Sequence, residues 1–246
     1  MKTIHIMTLF PQAFDFLFET GVVGSALRGE RGDVPRLNFV NPSDYNDKGF
    51  KGVDAAPYGG GAGQVMRADC LERALLEGII KDGQLSEFDI IYLGPRGKRF
   101  DQGLASELQK ACEQRNIVFI CGRYEGIDER FLQRYVNRHI SLGDFVLSGG
   151  ELGLIPILDA VFRLMPGVLG NSDSPVEESF DGNGLEFPQY TKPQLACGEE
   201  VPKVLLSGHH ENIKKWRHQQ RLEMTKLHRP DLVKEKSCEA KEKRKK

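Results

Sequence analysis

"NIVFICGRYEG", residues 116–126, decides the fold. An unbroken apolar run, Ile117 to Cys121, stops at Gly122. Its length suits a strand, and the lack of alternation suits one covered on both faces. Upstream, "FDIIYLGPRG" (88–97) is another such run, ending in Gly-Pro, followed by helical "QGLASELQKACEQR" (102–115). Downstream come helical "IDERFLQRYV" (127–136), then "NRHISLGDFVLSGGE" (137–151) and helical "LGLIPILDAVFRLM" (152–165). Buried strands alternating with helices predict an α/β fold with a parallel sheet. Such sheets hold ligands outside the carboxyl ends of their strands. All three predicted strand ends carry glycine: Gly94-Pro95, Gly122 and Gly149-Gly150.

Further out, "KTIHIMTLF" (2–10) alternates polar and apolar like a strand. Pro11 suits a first helical position and opens a helix expected to end near Gly21. "RLNFV" (36–40) predicts a short strand. "YGGGAGQ" (58–64) is a loop, since its glycines supply backbone freedom and no packing. Residues 67–77 predict a helix stopped by Gly78.

The chain has 246 residues, 39% hydrophobic and 28% charged, which is ordinary globular composition. One domain of about 160 residues plus a smaller one is the natural division. No run approaches the ~20 apolar residues that span a bilayer, so no membrane contact is expected. The N-terminus carries Asp15 and Glu19 and reads as strand then helix, not as a signal peptide. Five cysteines without C-x-x-C spacing argue for a reducing, cytoplasmic setting and against structural zinc.

Net charge −1 hides an asymmetry. From Lys203 onward there are 14 Lys+Arg against 6 Asp+Glu; the earlier residues hold 20 against 29. A basic end of this kind points to a polyanion partner, with a solvated helix and tail as the plainer reading. In a helix beginning near Gly208, Lys214, Arg217, His218 and Arg221 share one face, while Ile213 and Trp216 turn toward the core. Residues 171–184 are polar and read as a flexible linker.

The stretch "ISLGDFVLSGGE" (140–151) is half apolar and half glycine. Leu142, Phe145, Val146 and Leu147 offer apolar surface to a flat base. Gly143, Gly149 and Gly150 let the main chain come close. Asp144 can accept hydrogen bonds or oppose a positive charge. Taken alone, the segment reads better as a turn at 143–144 with 145–147 as core.

"YGGGAGQVM", "CGRYEGIDER", "SLGDFVLSGGE", "RLMPGVLG", "EESF" and "PKVLLSGHHENIKKWR" occur in this order. Together they resemble the bacterial tRNA (guanine-N1) methyltransferases that modify guanine 37, which belong to the knotted SPOUT class. The resemblance runs from Leu9 to Pro230. It implies a parallel sheet with a deep trefoil knot toward its C-terminal side, and a small, mostly helical C-terminal domain. The expected division is a knotted domain over 1–169, a linker over 170–178 and a tRNA-binding domain over 179–246.

The resemblance also implies that S-adenosylmethionine lies bent in a cleft made by three knot loops. Tyr92, Leu93 and Pro95 come from the first loop, and Gly122 and Glu125 from the second. Ser141, Leu142, Gly143, Asp144, Phe145, Val146, Leu147, Gly149 and Gly150 come from the third. It implies further that tRNA binds the C-terminal domain and that two subunits share each site.

Methylation at guanine N1 needs a base for the N1 proton and a cation for the charge that grows on O6. The matching positions are Glu178 and Arg163. The family pattern has aspartate before Ser-Phe where this chain has Glu178, which leaves Glu177 and Asp173 as alternative bases. Without the resemblance, Glu178 reads better as a linker carboxylate, and Arg163 reads equally well as a helix-end arginine. Glu125 has three candidate roles: contact with the methionine amino group, contact with a magnesium ion, or help in proton transfer. Lys214, Lys215, Arg217 and Arg221 are the expected RNA contacts. Ala62 stands where the family usually has proline, and Ala55-Ala56 replace a more polar pair. Two alternatives remain: a knotted methyltransferase for another RNA, and an RNA-binding relative that has lost catalysis.

Overall fold

A computed structural model describes residues 2–46, 52–170, 178–180, 182 and 184–233. The chain divides into two compact units, Met1–Ser172 and Asp173–Lys246.

The first unit is built on five strands: β1 (Thr3–Met7), β2 (Arg36–Val40), β5 (Phe88–Arg99), β6 (Asn116–Cys121) and β7 (Arg138–Ser141). Two-residue strands β3 (Asp54–Ala55) and β4 (Val65–Met66) form a separate hairpin. The sheet order is β2-β1-β6-β5-β7, and every pairing is parallel. The two-residue period of a strand sends alternate side chains to opposite faces. Ile117, Phe119 and Cys121 of β6 therefore join one core, while Val118 and Ile120 join the other. β5 splits likewise, with Ile91 and Leu93 on one side and Ile90 and Tyr92 on the other. Fully burying each such side chain stabilises the fold by roughly 1.5–3 kcal/mol.

Helices α1 (Asp15–Glu19), α2 (Gly21–Leu27), α4 (Gln102–Gln114) and α6 (Gly150–Phe162) contribute to the first core; α3 (Ala68–Arg73) and α5 (Glu129–Tyr135) contribute to the second. The Asp101 carboxylate caps α4 by accepting from the Leu104 amide at 2.8 Å. Asp128 caps α5, accepting from the Arg130 amide at 2.9 Å. Pro156 lies inside α6 on its exposed side, where water can serve the carbonyl the proline leaves unpaired.

The first helical stretch ends near Gly21, as expected: α1 stops at Glu19, Thr20 is extended, and α2 begins at Gly21 with φ +67°. Two expectations need correction. Gly78 does not stop α3, which continues as a π-helical stretch, Ala74–Ile80. A Cβ at Gly78 would lie 2.5 Å from the Tyr45 hydroxyl, so close packing explains this glycine. β5 does not end at Gly94-Pro95 either. Both Leu93 and Lys98 pair with Ile140, so residues 94–97 bulge out while the strand continues to Arg99. A Cβ at Gly97 would lie 2.4 Å from the Ile140 backbone, which makes glycine necessary in the bulge.

The second unit holds the hairpin β8 (Leu195–Ala196) and β9 (Glu199–Glu200), with helices α7 (Lys203–Leu206) and α8 (His210–His228). Buried Thr225 fixes α8 to the preceding chain. Its hydroxyl accepts from the Leu185 amide at 2.9 Å and donates to the Arg221 carbonyl at 2.7 Å. No helix among the described residues is long and apolar enough to cross a membrane.

Candidate functional site

Outside the carboxyl ends of β5, β6 and β7 lies a cavity of about 340 Å³. Its walls are residues 92–95, 122–126, 140–143 and 145–150, with Gly153 of α6. Thirteen of the fourteen residues expected to hold the cofactor line it; Asp144 is exposed and does not. Beyond the three expected loops, 92–95, 122–125 and 141–150, the lining adds Gly126, Ile140 and Gly153. Phe145 is 57% and Val146 94% exposed, so residues 145–147 are not the core segment that the plainer reading allowed.

The glycines of the walls serve the walls themselves. A Cβ at Gly122 would lie 2.9 Å from the Tyr92 ring, and one at Gly94 2.6 Å from it. A Cβ at Gly149 would meet the Arg123 guanidinium at 2.4 Å, and one at Gly150 the Cys121 backbone at 2.7 Å. The absent side chains let three loops close on one another, and the Gly150 amide then donates to the Gly122 carbonyl at 2.9 Å. The Tyr92 ring stands edge-on to His139 with centroids 5.6 Å apart. Burial pushes its phenol up, against the pull of Arg96. Burial, with Glu151 nearby, also pushes the Cys121 thiol well up, so it stays protonated and unreactive.

Glu125 lies under the glycine-rich loop. A Cβ at Gly63 would sit 2.5 Å from its carboxylate Oε1, and the Glu125 amide donates to the Gln64 carbonyl at 2.9 Å. Burial and the neighbouring Asp54 carboxylate push the Tyr124 phenol up. Among the described residues no group of three or more His, Cys, Asp or Glu could hold a metal ion.

Arg163 closes α6 as its C-cap, its amide donating to the Asp159 carbonyl at 3.1 Å. Glu178 belongs to the second unit, where its carbonyl accepts from Arg221 Nη2 at 3.3 Å. Glu177 and Asp173 lie outside the described residues. Of the four expected RNA contacts, Lys214 and Lys215 are exposed. Arg217 is half-buried with its guanidinium 4.6 Å from the Phe187 ring centroid. Arg221, also half-buried, donates to the Leu185 carbonyl at 3.2 Å. Trp216 tilts against Tyr190 with centroids 6.2 Å apart.

An all-parallel sheet with a glycine-walled cleft at its carboxyl edge defines an α/β protein shaped to hold a nucleoside-sized ligand; the cleft falls in the roughly 300–1,000 Å³ range of small-molecule sites. Similarity makes the class particular. Residues 1–235 match the family described as tRNA (Guanine-1)-methyltransferase TrmD, and the chain belongs to that family. It is 48% identical over 233 residues to a tRNA (guanine-N(1)-)-methyltransferase of Clostridium novyi (strain NT), covering 94% of this chain and 91% of that protein. It is 46% identical to the protein of the same name from Clostridium tetani (strain Massachusetts / E88), covering 94% and 92%. With the one from Clostridium beijerinckii (strain ATCC 51743 / NCIMB 8052) the identity is 47% over 232 residues.

Proposed function

We propose that this protein methylates N1 of guanine 37 in tRNA, with S-adenosylmethionine as donor. The observation that carries the reading is the cleft: the three loops marked out by the resemblance meet around one cavity. The donor, when bound, supplies an electrophilic methyl group on a sulfonium. The chain's own part is to position and to move a proton. Leu142, Phe145 and Leu147 offer apolar cover to the adenine, while main-chain groups of the glycine walls meet the polar sugar. Glu178 removes the N1 proton within hydrogen-bond reach of ~2.6–3.2 Å. Arg163 opposes the charge growing on O6, an interaction stronger in the transition state than before it.

The knot is part of the same reading, supported by the five-stranded parallel sheet and the closely packed loops at its edge. So are a knotted domain over 1–169, a linker over 170–178 and a tRNA-binding domain over 179–246. A homodimer would let one subunit bring the donor cleft and the other the C-terminal domain; Phe16, Val22 and Leu152 are exposed apolar surface that a second copy could cover. Magnesium is bound by one or two carboxylates with water and substrate oxygens, and Glu125 is the carboxylate this cleft offers. The cytoplasm is the expected compartment.

The test is transfer of labelled methyl from the donor to unmodified tRNA carrying guanine at 36 and 37, followed by mapping of the label. Label at N1 of guanine 37 is the expected result. Label only on another RNA, or tight tRNA binding without label, would overturn it in favour of a different target or of a binding protein without catalysis.

A further inference from the structure

Behind the cleft wall a carboxylate is buried that the mechanism above does not use. Glu151, the second residue of α6, is fully buried and does not line the cavity. Its Oε1 accepts from the Thr8 hydroxyl at 2.7 Å, and its Oε2 accepts from Arg123 Nε at 2.8 Å. Arg123 extends the network: its Nη1 donates to the Ser148 carbonyl at 3.2 Å, and its guanidinium lies 4.4 Å from the Phe10 ring centroid. The Phe10 amide in turn donates to the Thr8 hydroxyl at 3.0 Å. One negative charge thus ties together the segment after β1, the loop after β6 and the loop leading into α6.

The first turn of a helix favours a negative charge, and Glu151 lies in the first turn of α6. Even so, a buried ion pair adds little net stability over a well-packed apolar replacement; what it can fix is geometry. The geometry at stake is the cleft wall, because Gly122, Arg123, Ser148, Gly149 and Gly150 all line it.

We propose that Glu151 is a positioning residue for the methyl donor: through Arg123 and Thr8 it holds two of the three cleft loops in the spacing that grips the cofactor. This rests on the reading of the cleft as the donor site. Glu151 does not itself line the cleft, so it acts on the donor only through Arg123 and Thr8.

The experiment uses the full chain. Donor affinity is measured by titration calorimetry with S-adenosylmethionine, and kcat (at saturating donor) and KM for tRNA are measured separately, for wild type, Glu151→Gln, Glu151→Asp and Thr8→Val. Glu151→Gln is expected to weaken donor binding on the order of tenfold to a hundredfold, the scale on which outer-shell partners act at other sites. At saturating donor its kcat should stay within about threefold of wild type with the tRNA KM unchanged, since no transition-state contact is removed. Glu151→Asp should recover part of the affinity, and Thr8→Val should shift it the same way by a smaller factor. A folded Glu151→Gln enzyme with wild-type donor affinity overturns the proposal, even if its melting temperature falls. Should that variant not fold, unchanged affinity in Thr8→Val overturns it instead. Failure of the wild type to bind the donor would overturn the assignment of the cleft itself.

Discussion

Gly63→Ala tests how the glycine-rich loop controls Glu125. Gly63 has φ +81°, and a Cβ there would lie 2.5 Å from both Cγ and Oε1 of Glu125. Ordinary contact needs ~3.5 Å or more, so one partner must retreat by about 1 Å. The loop is poorly placed to lift. The Glu125 amide is bonded to the Gln64 carbonyl at 2.9 Å, the Met66 amide to the Gly126 carbonyl at 2.9 Å, and the Asp128 amide to the Met66 carbonyl at 3.0 Å. The carboxylate therefore moves. A misplacement of about 1 Å in a catalytic site costs about 10²-fold, or roughly 2.7 kcal/mol of transition-state stabilisation.

Gly60→Ala separates this effect from backbone strain. Gly60 has φ +79°, with nothing among the described residues within 4 Å of an added Cβ. Both alanines bear the left-handed cost of roughly 1–2 kcal/mol, which for a chain of this size lowers Tm by about 2–8 °C. Calorimetry and donor titration on the pair should show similar losses of Tm, with kcat/KM and donor affinity falling only in Gly63→Ala. Wild-type kinetics in Gly63→Ala, or equal kinetic losses in both variants, would refute the reasoning.

Glu178→Gln should lower turnover at least ~10²-fold with donor affinity little changed, as single-turnover and binding measurements would show. Wild-type turnover would remove Glu178 from the mechanism. Lys214→Ala and Lys215→Ala should each weaken tRNA binding and lower the slope of log affinity against log salt by about 0.9 per lost phosphate contact. Arg217→Ala should instead lower Tm, because its guanidinium packs on Phe187 inside the second unit. His5 gives a pH signature: burial first, then Lys81, hold its imidazole pKa below the ordinary 6.5. The unfolded chain then takes up the proton at higher pH than the folded one, so His5 weakens the fold as pH drops below about 6.5 and has no such effect above it. Tm measured from pH 7.5 to 5.5 should fall less steeply in His5→Gln; an unchanged slope would rule this out.

The strands were legible because their signal is local. Ile117 to Cys121 is an apolar run that only a covered strand can use, and the alternation of its side chains between two cores follows from the period of two. The cleft was legible from the order of its motifs. What stayed hidden depends on distant partners. Gly78 looks like a helix stop until Tyr45 is seen against it, and Gly94-Pro95 looks like a strand end until Ile140 pairs on both sides of the bulge. A helical wheel places Lys214, Arg217 and Arg221 on one face. It cannot say that Phe187 and Leu185 cover the two arginines and leave the lysine outside. Thr8, Arg123 and Glu151 are spread along the chain, and no local spacing announces that they share one charge.

The glycines carry the larger lesson about the cleft. Read from the sequence, they make room for a ligand. In the folded chain, the spaces beside Gly94, Gly122, Gly149 and Gly150 are filled by Tyr92, Arg123 and the Cys121 backbone. The loops are therefore held at their spacing by contacts with one another, with no ligand needed to set it. Preorganisation of this kind lowers the ordering cost of binding, a cost of roughly 0.5–1.5 kcal/mol for each side chain that would otherwise be immobilised. It also makes the walls intolerant of change: a methyl group at Gly122 or Gly149 would push on a ring or a guanidinium, displacing the neighbouring loop instead of merely narrowing the cavity. A cleft built this way is set by loop-to-loop distances, and the Glu151–Arg123 pair lies at the junction of two of those loops.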